Sequence, residues 1–388
     1  NHMKRPKIGL LWKILAAIAL GIGIGLISPE WTVRIFVTFN AIFSQFLGFV
    51  IPLIIVGLVT PAIADIGNKA AKMLVATLAI AYLSTIFAGL VSYLTGAALF
   101  PSMIDSGEGL KVLAETGDLQ PYFSVTIPPL MGVMTALVLA FMTGLGLASS
   151  RHKVLLDAAH GFEEIVTMTI KSVIIPILPL YIFGIFLNMT YVGQVFSILT
   201  VFIKIIGIIF LIHIVILILQ FTIAGGLARK NPFKLLWTMM PAYFTALGTQ
   251  SSAATIPVTL DQTKKNGVSE DIAGFTIPLC ATIHMSGSTL KIVACALALM
   301  IMQGIPYDFW QFFGFICMLA ITMIAAPGGP GGALMASLGV LQSMLGFDQD
   351  SLALMIALYI AMDSFGTACN VTGDGAIAII VNRLLRKV

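Results

Sequence analysis

Two stretches near the C-terminus place polar and helix-breaking residues inside long apolar surroundings. The first is the Pro/Gly-rich run 325–333, and the second is the segment 362–374, which contains Asp363, Asn370 and Asp374. A carboxylate at mid-membrane depth costs roughly 2.5 to 3.5 kcal/mol even on insertion scales. These side chains therefore need buried cationic partners or a water-filled path, which is typical of a transporter site.

The composition agrees with a membrane location. Hydrophobic residues make up 59% of the 388 residues and charged residues only 10%, whereas a soluble domain usually carries about 25% charged residues. The net charge of +4 is spread over the loops, so the chain has no basic face suited to nucleic acid. The cysteines lie in apolar segments without metal-ligand spacing, which predicts buried, reduced thiols at Cys280, Cys295, Cys317 and Cys369.

Apolar runs of about 20 residues, enough to cross a bilayer, divide the chain. The predicted spans are 10–27, 37–63, 73–100, 127–148, 165–187 and 195–225, with two more beginning near Ile272 and Leu352. Two further segments, 232–260 and 312–345, are interrupted near their middles by small and polar residues. Non-helical backbone at membrane depth is tolerated only where protein or water satisfies it. Each interrupted segment is therefore predicted to be a re-entrant helical hairpin rather than an ordinary loop.

Loop charges test this order of crossings. The positive-inside rule expects basic loops to lie on the cytoplasmic side. If each interrupted segment enters and leaves by one face of the membrane, all the basic loops fall on that side. These loops lie near 4–7, 69–72, 151–153, 229–234, 264–265 and 383–387. The acidic connection 105–118 then falls outside. We therefore predict an all-α polytopic membrane protein with eight transmembrane helices and two re-entrant helical hairpins. It would lie in the cell membrane with both termini cytoplasmic.

Several motifs in one order carry a resemblance to a known family. They are the serine-rich tip 248–257, the segment 278–288, the Pro-Gly-Gly tip and the last helix. At these residues, and over essentially its whole length, the chain resembles the dicarboxylate/amino acid:cation symporter family, which includes archaeal aspartate transporters and mammalian excitatory and neutral amino acid transporters. The resemblance implies a homotrimer. It also implies a scaffold of residues 1–70 and 101–190, and an elevator-type transport domain of residues 71–100 and 191–388.

The resemblance further implies a substrate site between the last helix and the two interrupted tips. Asp363 matches the carboxylate that binds the substrate α-ammonium group, and Asn370 matches the asparagine that bonds the α-carboxylate and borders a sodium site. Asp374 matches a sodium-coordinating carboxylate. The other expected substrate contacts are Gln250, Ser251, Ser252, Pro330, Gly331, Gly366 and Thr367. The spacing from Asp363 to Asp374 in steps of three or four places this polar series on one helical face.

Two positions depart from the acidic-substrate members of the family. Those members carry an arginine in the last helix or at the first tip, which can hold a side-chain carboxylate in bidentate fashion. Here Gly366 and Gln250 stand at these positions. Neither neutralises a second carboxylate, and Gly366 is expected to leave extra room. We therefore expect a neutral amino acid, with serine, threonine or alanine first and a bulkier side chain as the alternative.

A further departure concerns cation coupling. The family's Asn-Met-Asp-Gly-Thr stretch here has His284 for its asparagine and Ser286 for a sodium-ligand aspartate. Hard cations prefer charged oxygen ligands, so we expect sodium at lower stoichiometry than in the aspartate transporters, or no sodium. Lys291 could take the role of a bound cation, pair with Asp363 or Asp374, or touch the substrate. With His284 it makes proton coupling or sodium independence an alternative.

Simpler interpretations stand beside these. His284 could be a satisfied core histidine and Lys291 a side chain that snorkels to an interface. Ser84 and Thr85 fall where the family supplies hydroxyls to a cation site, although such hydroxyls often bond their own helix. An intramembrane enzyme would need a nucleophile with a base, and a channel would need a continuous polar lining. The clustered polar residues favour a symporter over both. Its expected partners are the lipid bilayer, an amino acid and a monovalent cation. Sodium is the candidate ion, and no other cofactor is expected.

Overall fold

The computed structural model describes residues 10–66, 71–104, 119–150, 152–193, 195–324 and 332–386. All regular secondary structure in these ranges is helical, which confirms the all-α prediction. The helices are α1 (Leu10–Gly25), α2 (Glu30–Ile66), α3 (Ala71–Met103), α4 (Val133–Ser150), α5 (Lys153–Thr169), α6 (Ile175–Tyr191), α7 (Val195–Ala228), α8 (Pro232–Thr238), α9 (Met240–Thr249), α10 (Ser252–Lys265), α11 (Glu270–Ile283), α12 (Ser286–Met302), α13 (Phe309–Met323), α14 (Gly332–Leu345), α15 (Gln349–Ile360) and α16 (Asp363–Leu385). A π-helical turn, Ile170–Ile174, joins α5 to α6.

Long apolar helices make this a multi-span membrane protein. Among the described residues, six helical segments are long and apolar enough to cross a membrane, judged by length and composition. Large apolar side chains are exposed on several helices, as expected for surfaces that face hydrocarbon rather than water; they include Trp12, Val75, Leu83, Phe196, Ile203 and Trp310. The count of eight crossings stays a prediction.

Both interrupted segments form helical pairs. The first breaks at Gln250 and Ser251, inside the predicted tip, and its arms α9 and α10 pack against each other. The arms of the second, α13 and α14, also pack together. Its tip, including the predicted contacts Pro330 and Gly331, lies outside the described residues.

Three predicted spans differ from the structure. The span 127–148 begins late, because α4 starts at Val133 and residues 119–132 are largely irregular. Pro128 and Pro129 lack the N–H groups that a helix interior needs. The spans that begin near Ile272 and Leu352 are each broken in two, between α11 and α12 and between α15 and α16.

The helices pack in two neighbourhoods. Helix α2 lies against α4, α5 and α6, and α1 lies against α6. In the other neighbourhood α3 runs along α12 and α13, while α16 is surrounded by α7, α9, α10, α11 and α12. Every residue of α12 is buried, and so is α16 from Asp363 to Ile379 apart from Phe365. The polar residues of α16 therefore face protein rather than lipid.

Candidate functional site

The break between α11 and α12 places backbone amide groups against the polar residues of α16. His284 and Met285 leave the helical region, and α12 begins at Ser286. The approach of α12 to α16 depends on a glycine: a Cβ on Gly287 would lie 2.6 Å from both Cys369 Cβ and the Gly366 carbonyl oxygen. The absence of a side chain at this position lets the two helices meet at backbone distance.

Asn370 satisfies the start of α12. The first four amides of a helix have no intrahelical partner, and the N-cap residue Met285 supplies no side-chain bond. Instead the Asn370 Oδ1 atom, from α16, accepts hydrogen bonds from the backbone amides of Gly287 (2.8 Å) and Ser288 (3.1 Å). Its Nδ2 atom donates to Ser288 Oγ at 3.0 Å. Asn370 thus acts as an N-cap from another helix, and both ends of its amide are engaged.

Asp374 is held by a histidine. His284 Nδ1 lies 2.9 Å from Asp374 Oδ1, and both side chains are buried. The other ring nitrogen, Nε2, is 2.9 Å from Ser84 Oγ on α3. Gln220 on α7 donates from Nε2 to the same Ser84 oxygen at 3.0 Å. A hydrogen-bonded chain therefore crosses the bundle from α16 to α7, and it already occupies one oxygen of the predicted sodium ligand.

Lys291 lies at the opposite end of the polar face, near Asp363. It is 1% exposed, and its Nζ donates to the Met362 carbonyl oxygen at 2.8 Å. The same atom sits 4.2 Å from the centre of the Tyr359 ring, a cation–π distance. The Asp363 carboxylate is close enough to interact with it electrostatically. The snorkelling interpretation of Lys291 is therefore wrong.

The room expected over Gly366 is also absent. A Cβ at Gly366 would collide with Cε and Nζ of Lys291, so the lysine side chain already fills the space that the missing side chain leaves. The expectation that Gly366 admits a bulkier substrate is corrected on this ground. Sequence spacing could not show it, because the lysine reaches Gly366 from a different helix.

The tip of the first interrupted segment contains a residue in a left-handed conformation and a helix N-cap. Gln250 has a left-handed conformation (φ 56°, ψ 23°), which is uncommon for a residue with a side chain. Ser251 caps α10 by accepting a hydrogen bond from the Ala254 amide at 3.2 Å, and Ser252 is buried. Since α9 and α10 both pack against α16, the tip is carried by helices that contact the polar face.

Other predicted residues have local roles. Thr367 donates its hydroxyl to the Asp363 carbonyl oxygen one turn earlier, at 3.2 Å. Thr85 donates to Ala81 of its own helix at 2.9 Å, which is the simpler of the two interpretations. Ser286 is fully buried, and its hydroxyl has no hydrogen-bond partner among the described residues.

Sequence reasoning missed two participants, Gln220 and Tyr359. Gln220 was detectable as the only amide side chain of the apolar helix α7. Nothing in the sequence distinguished the Tyr359 ring from an ordinary core residue.

Charged side chains buried in an apolar helical bundle, beside two broken helices and a capped hairpin tip, define a polytopic membrane transporter. The sequence profile described as "Sodium:dicarboxylate symporter family" matches residues 10–384. The chain therefore belongs to the sodium:dicarboxylate symporter family, whose members are membrane transporters and not enzymes. The resemblance seen in the motifs is confirmed.

Curated relatives support the same assignment. A protein named serine/threonine transporter SstT from Acinetobacter baumannii (strain ATCC 17978) is 28% identical over 392 residues, which cover 95% of this chain and 95% of the relative. The protein of the same name from Acinetobacter baylyi is 27% identical over 413 residues, covering 97% and 98%. The similarity thus extends over nearly the full length of each chain.

Proposed function

We propose that this chain is a secondary active transporter that carries a small neutral amino acid together with a monovalent cation. The observation that supports the substrate class is the contact of Lys291 with Gly366. Gly366 and Gln250 stand where acidic-substrate members are expected to have an arginine, and Lys291 fills the space over Gly366. Because Lys291 takes this space, a short substrate side chain beside Asp363 is favoured over a bulky one. The names of the two serine/threonine transporters described above point the same way.

The movement proposed is an elevator, in a homotrimer in the cell membrane with both termini cytoplasmic. Residues 1–70 and 101–190 would form the scaffold, and residues 71–100 and 191–388 the moving domain. Supporting this division, α1, α2, α4, α5 and α6 pack largely on one another. Helix α3 instead packs against α12 and α13, which contain no residue of the scaffold segments.

Sodium at lower stoichiometry is the first candidate for the coupled ion, held by Asp374 and the neighbouring Asn370. The geometry also favours a second candidate, coupling to a proton or no coupled ion. His284 takes one Asp374 oxygen, and Asn370 Oδ1 already accepts two amides. One of the two Asp374 carboxylate oxygens and the side-chain oxygen of Asn370 thus already have protein partners.

Uptake by proteoliposomes tests the function. A panel of labelled amino acids would be offered with and without a sodium gradient, and with and without a proton gradient. Saturable uptake of serine, threonine or alanine with counterflow of label is expected, and the gradient that drives it identifies the ion. Uptake of aspartate alone, or flux that does not saturate, would contradict the proposal.

A further inference from the structure

Lys291 is a buried cation, and the partners described above do not use all of its hydrogen-bond donors. An ammonium group has three N–H donors and no acceptor. One donor reaches the Met362 carbonyl oxygen, and the Tyr359 ring lies on another side of Nζ. Gly366 lets Nζ lie directly against α16, in the turn that runs from Asp363 to Thr367. A substrate held by Asp363 would thus place its side chain next to this ammonium group.

We propose that Lys291 is a specificity-determining residue, which donates a hydrogen bond to an oxygen on the substrate side chain. This inference rests on the proposed function and narrows its substrate class to short side chains that end in a hydroxyl, as in serine and threonine. Alanine fits the same space but offers no acceptor. A site built to hydrogen-bond a substrate group discriminates strongly against the analogue that lacks it, because the buried polar group is left unpaired.

The partners that Lys291 already has favour a neutral acceptor over a second carboxylate. The Asp363 carboxylate and the Tyr359 ring already face the ammonium group. The positive charge of Lys291 therefore already has partners before substrate binds. A hydroxyl oxygen accepts from Nζ without adding a charge to a buried site, whereas an acidic side chain would bring one that lacks a partner of its own.

The test compares equilibrium binding of serine and alanine to purified protein in detergent, by titration calorimetry at one salt concentration. Wild-type protein is expected to bind serine roughly ten times or more tighter than alanine, the ratio typical of a hydrogen bond to a charged group. Lys291→Met keeps the length of the side chain and removes its donors. It should weaken serine binding by that factor and change alanine binding by less than about threefold.

A matched control uses a lysine with a similar bond outside the site. Lys204 Nζ donates to the Met103 carbonyl oxygen at 2.9 Å from an exposed position, so Lys204→Met should leave the serine-to-alanine ratio unchanged. Gly366→Ala provides a second route, since its Cβ must displace Lys291 Nζ and should also lower the ratio. It decides the question if Lys291→Met does not fold.

Three results would overturn the inference. Lys291→Met could weaken the binding of serine and of alanine by the same factor. That would mean that Lys291 acts through Asp363 on the binding of the α-ammonium group, which both amino acids have. The ratio could stay unchanged in both variants. Wild-type protein could bind the two amino acids equally, which removes this inference and leaves the proposed function standing. Failure of the wild type to bind or transport any amino acid would instead remove the proposed function.

Discussion

Replacing Asn370 by alanine should destabilise the protein by separating α12 from its cap. The substitution leaves the amides of Gly287 and Ser288 without the acceptor that now lies 2.8 and 3.1 Å away. A buried donor without a partner costs about 1 to 3 kcal/mol, so two give roughly 2 to 6 kcal/mol. Loss of an N-cap costs about 1 kcal/mol in soluble hosts, so the effect expected here is larger than that of an ordinary cap.

The assay is denaturant unfolding in detergent micelles, combined with hydrogen exchange of the peptide that contains residues 286–290. Thr372→Val is the matched control on the same helix. Thr372 is also fully buried, but its hydroxyl bonds only to Ala368 one turn earlier. Since valine has the same shape and leaves no amide orphaned, its effect should stay below about 1 kcal/mol.

The reasoning predicts a local effect as well as a global one. In Asn370→Ala the amides of Gly287 and Ser288 should exchange faster, whereas in Thr372→Val they should not. If both variants unfold at the same denaturant concentration and the 286–290 peptide keeps its protection, the cap from α16 contributes no stability and the account of this contact is wrong.

Two further variants address the chain of hydrogen bonds at Asp374. The variant His284→Asn loses the imidazole that holds Asp374. Sodium chloride, compared with choline chloride, should therefore raise the melting temperature of this variant more than that of the wild type. An equal response would contradict the idea that His284 competes with a cation. In Gly373→Ala the new Cβ would lie 2.7 Å from Gln220 Oε1 and 2.9 Å from the His284 ring, which should destabilise by about 1 to 3 kcal/mol. Gly146→Ala, with nothing within 4 Å, should be neutral or stabilising by up to about 1 kcal/mol in the same melting experiment.

Local signals made much of the fold predictable. Hydropathy marks the apolar helices, and the small and hydroxyl residues of 248–257 mark the break that the structure places at Gln250 and Ser251. The polar face of α16 followed from helical spacing, because all its members lie within one uninterrupted helix. These features depend on neighbours in sequence, which a single chain displays.

The partners of the site were not predictable in the same way. Asn370 reaches Gly287 across 83 residues of sequence, and no local pattern fixes such a pairing. Lys291 was a candidate partner for either carboxylate and His284 had no predicted partner, because helix packing decides which carboxylate each side chain reaches. The same holds for Gly366, whose missing side chain was visible in the sequence while the lysine that fills its place was not.

The two carboxylates of α16 each lie near a basic side chain from a neighbouring element, and this pairing affects how the membrane potential acts on the protein. Asp363 has Lys291 nearby, and Asp374 has His284, so in the proposed elevator movement each carboxylate would travel with its partner. The membrane potential does about 2.3 kcal/mol of work per 100 mV on each uncompensated elementary charge that crosses. In such a movement the Asp363–Lys291 pair would add no net charge, and the Asp374–His284 pair would add none only while His284 is protonated. The voltage dependence of transport would then report mainly the charge of what the protein carries.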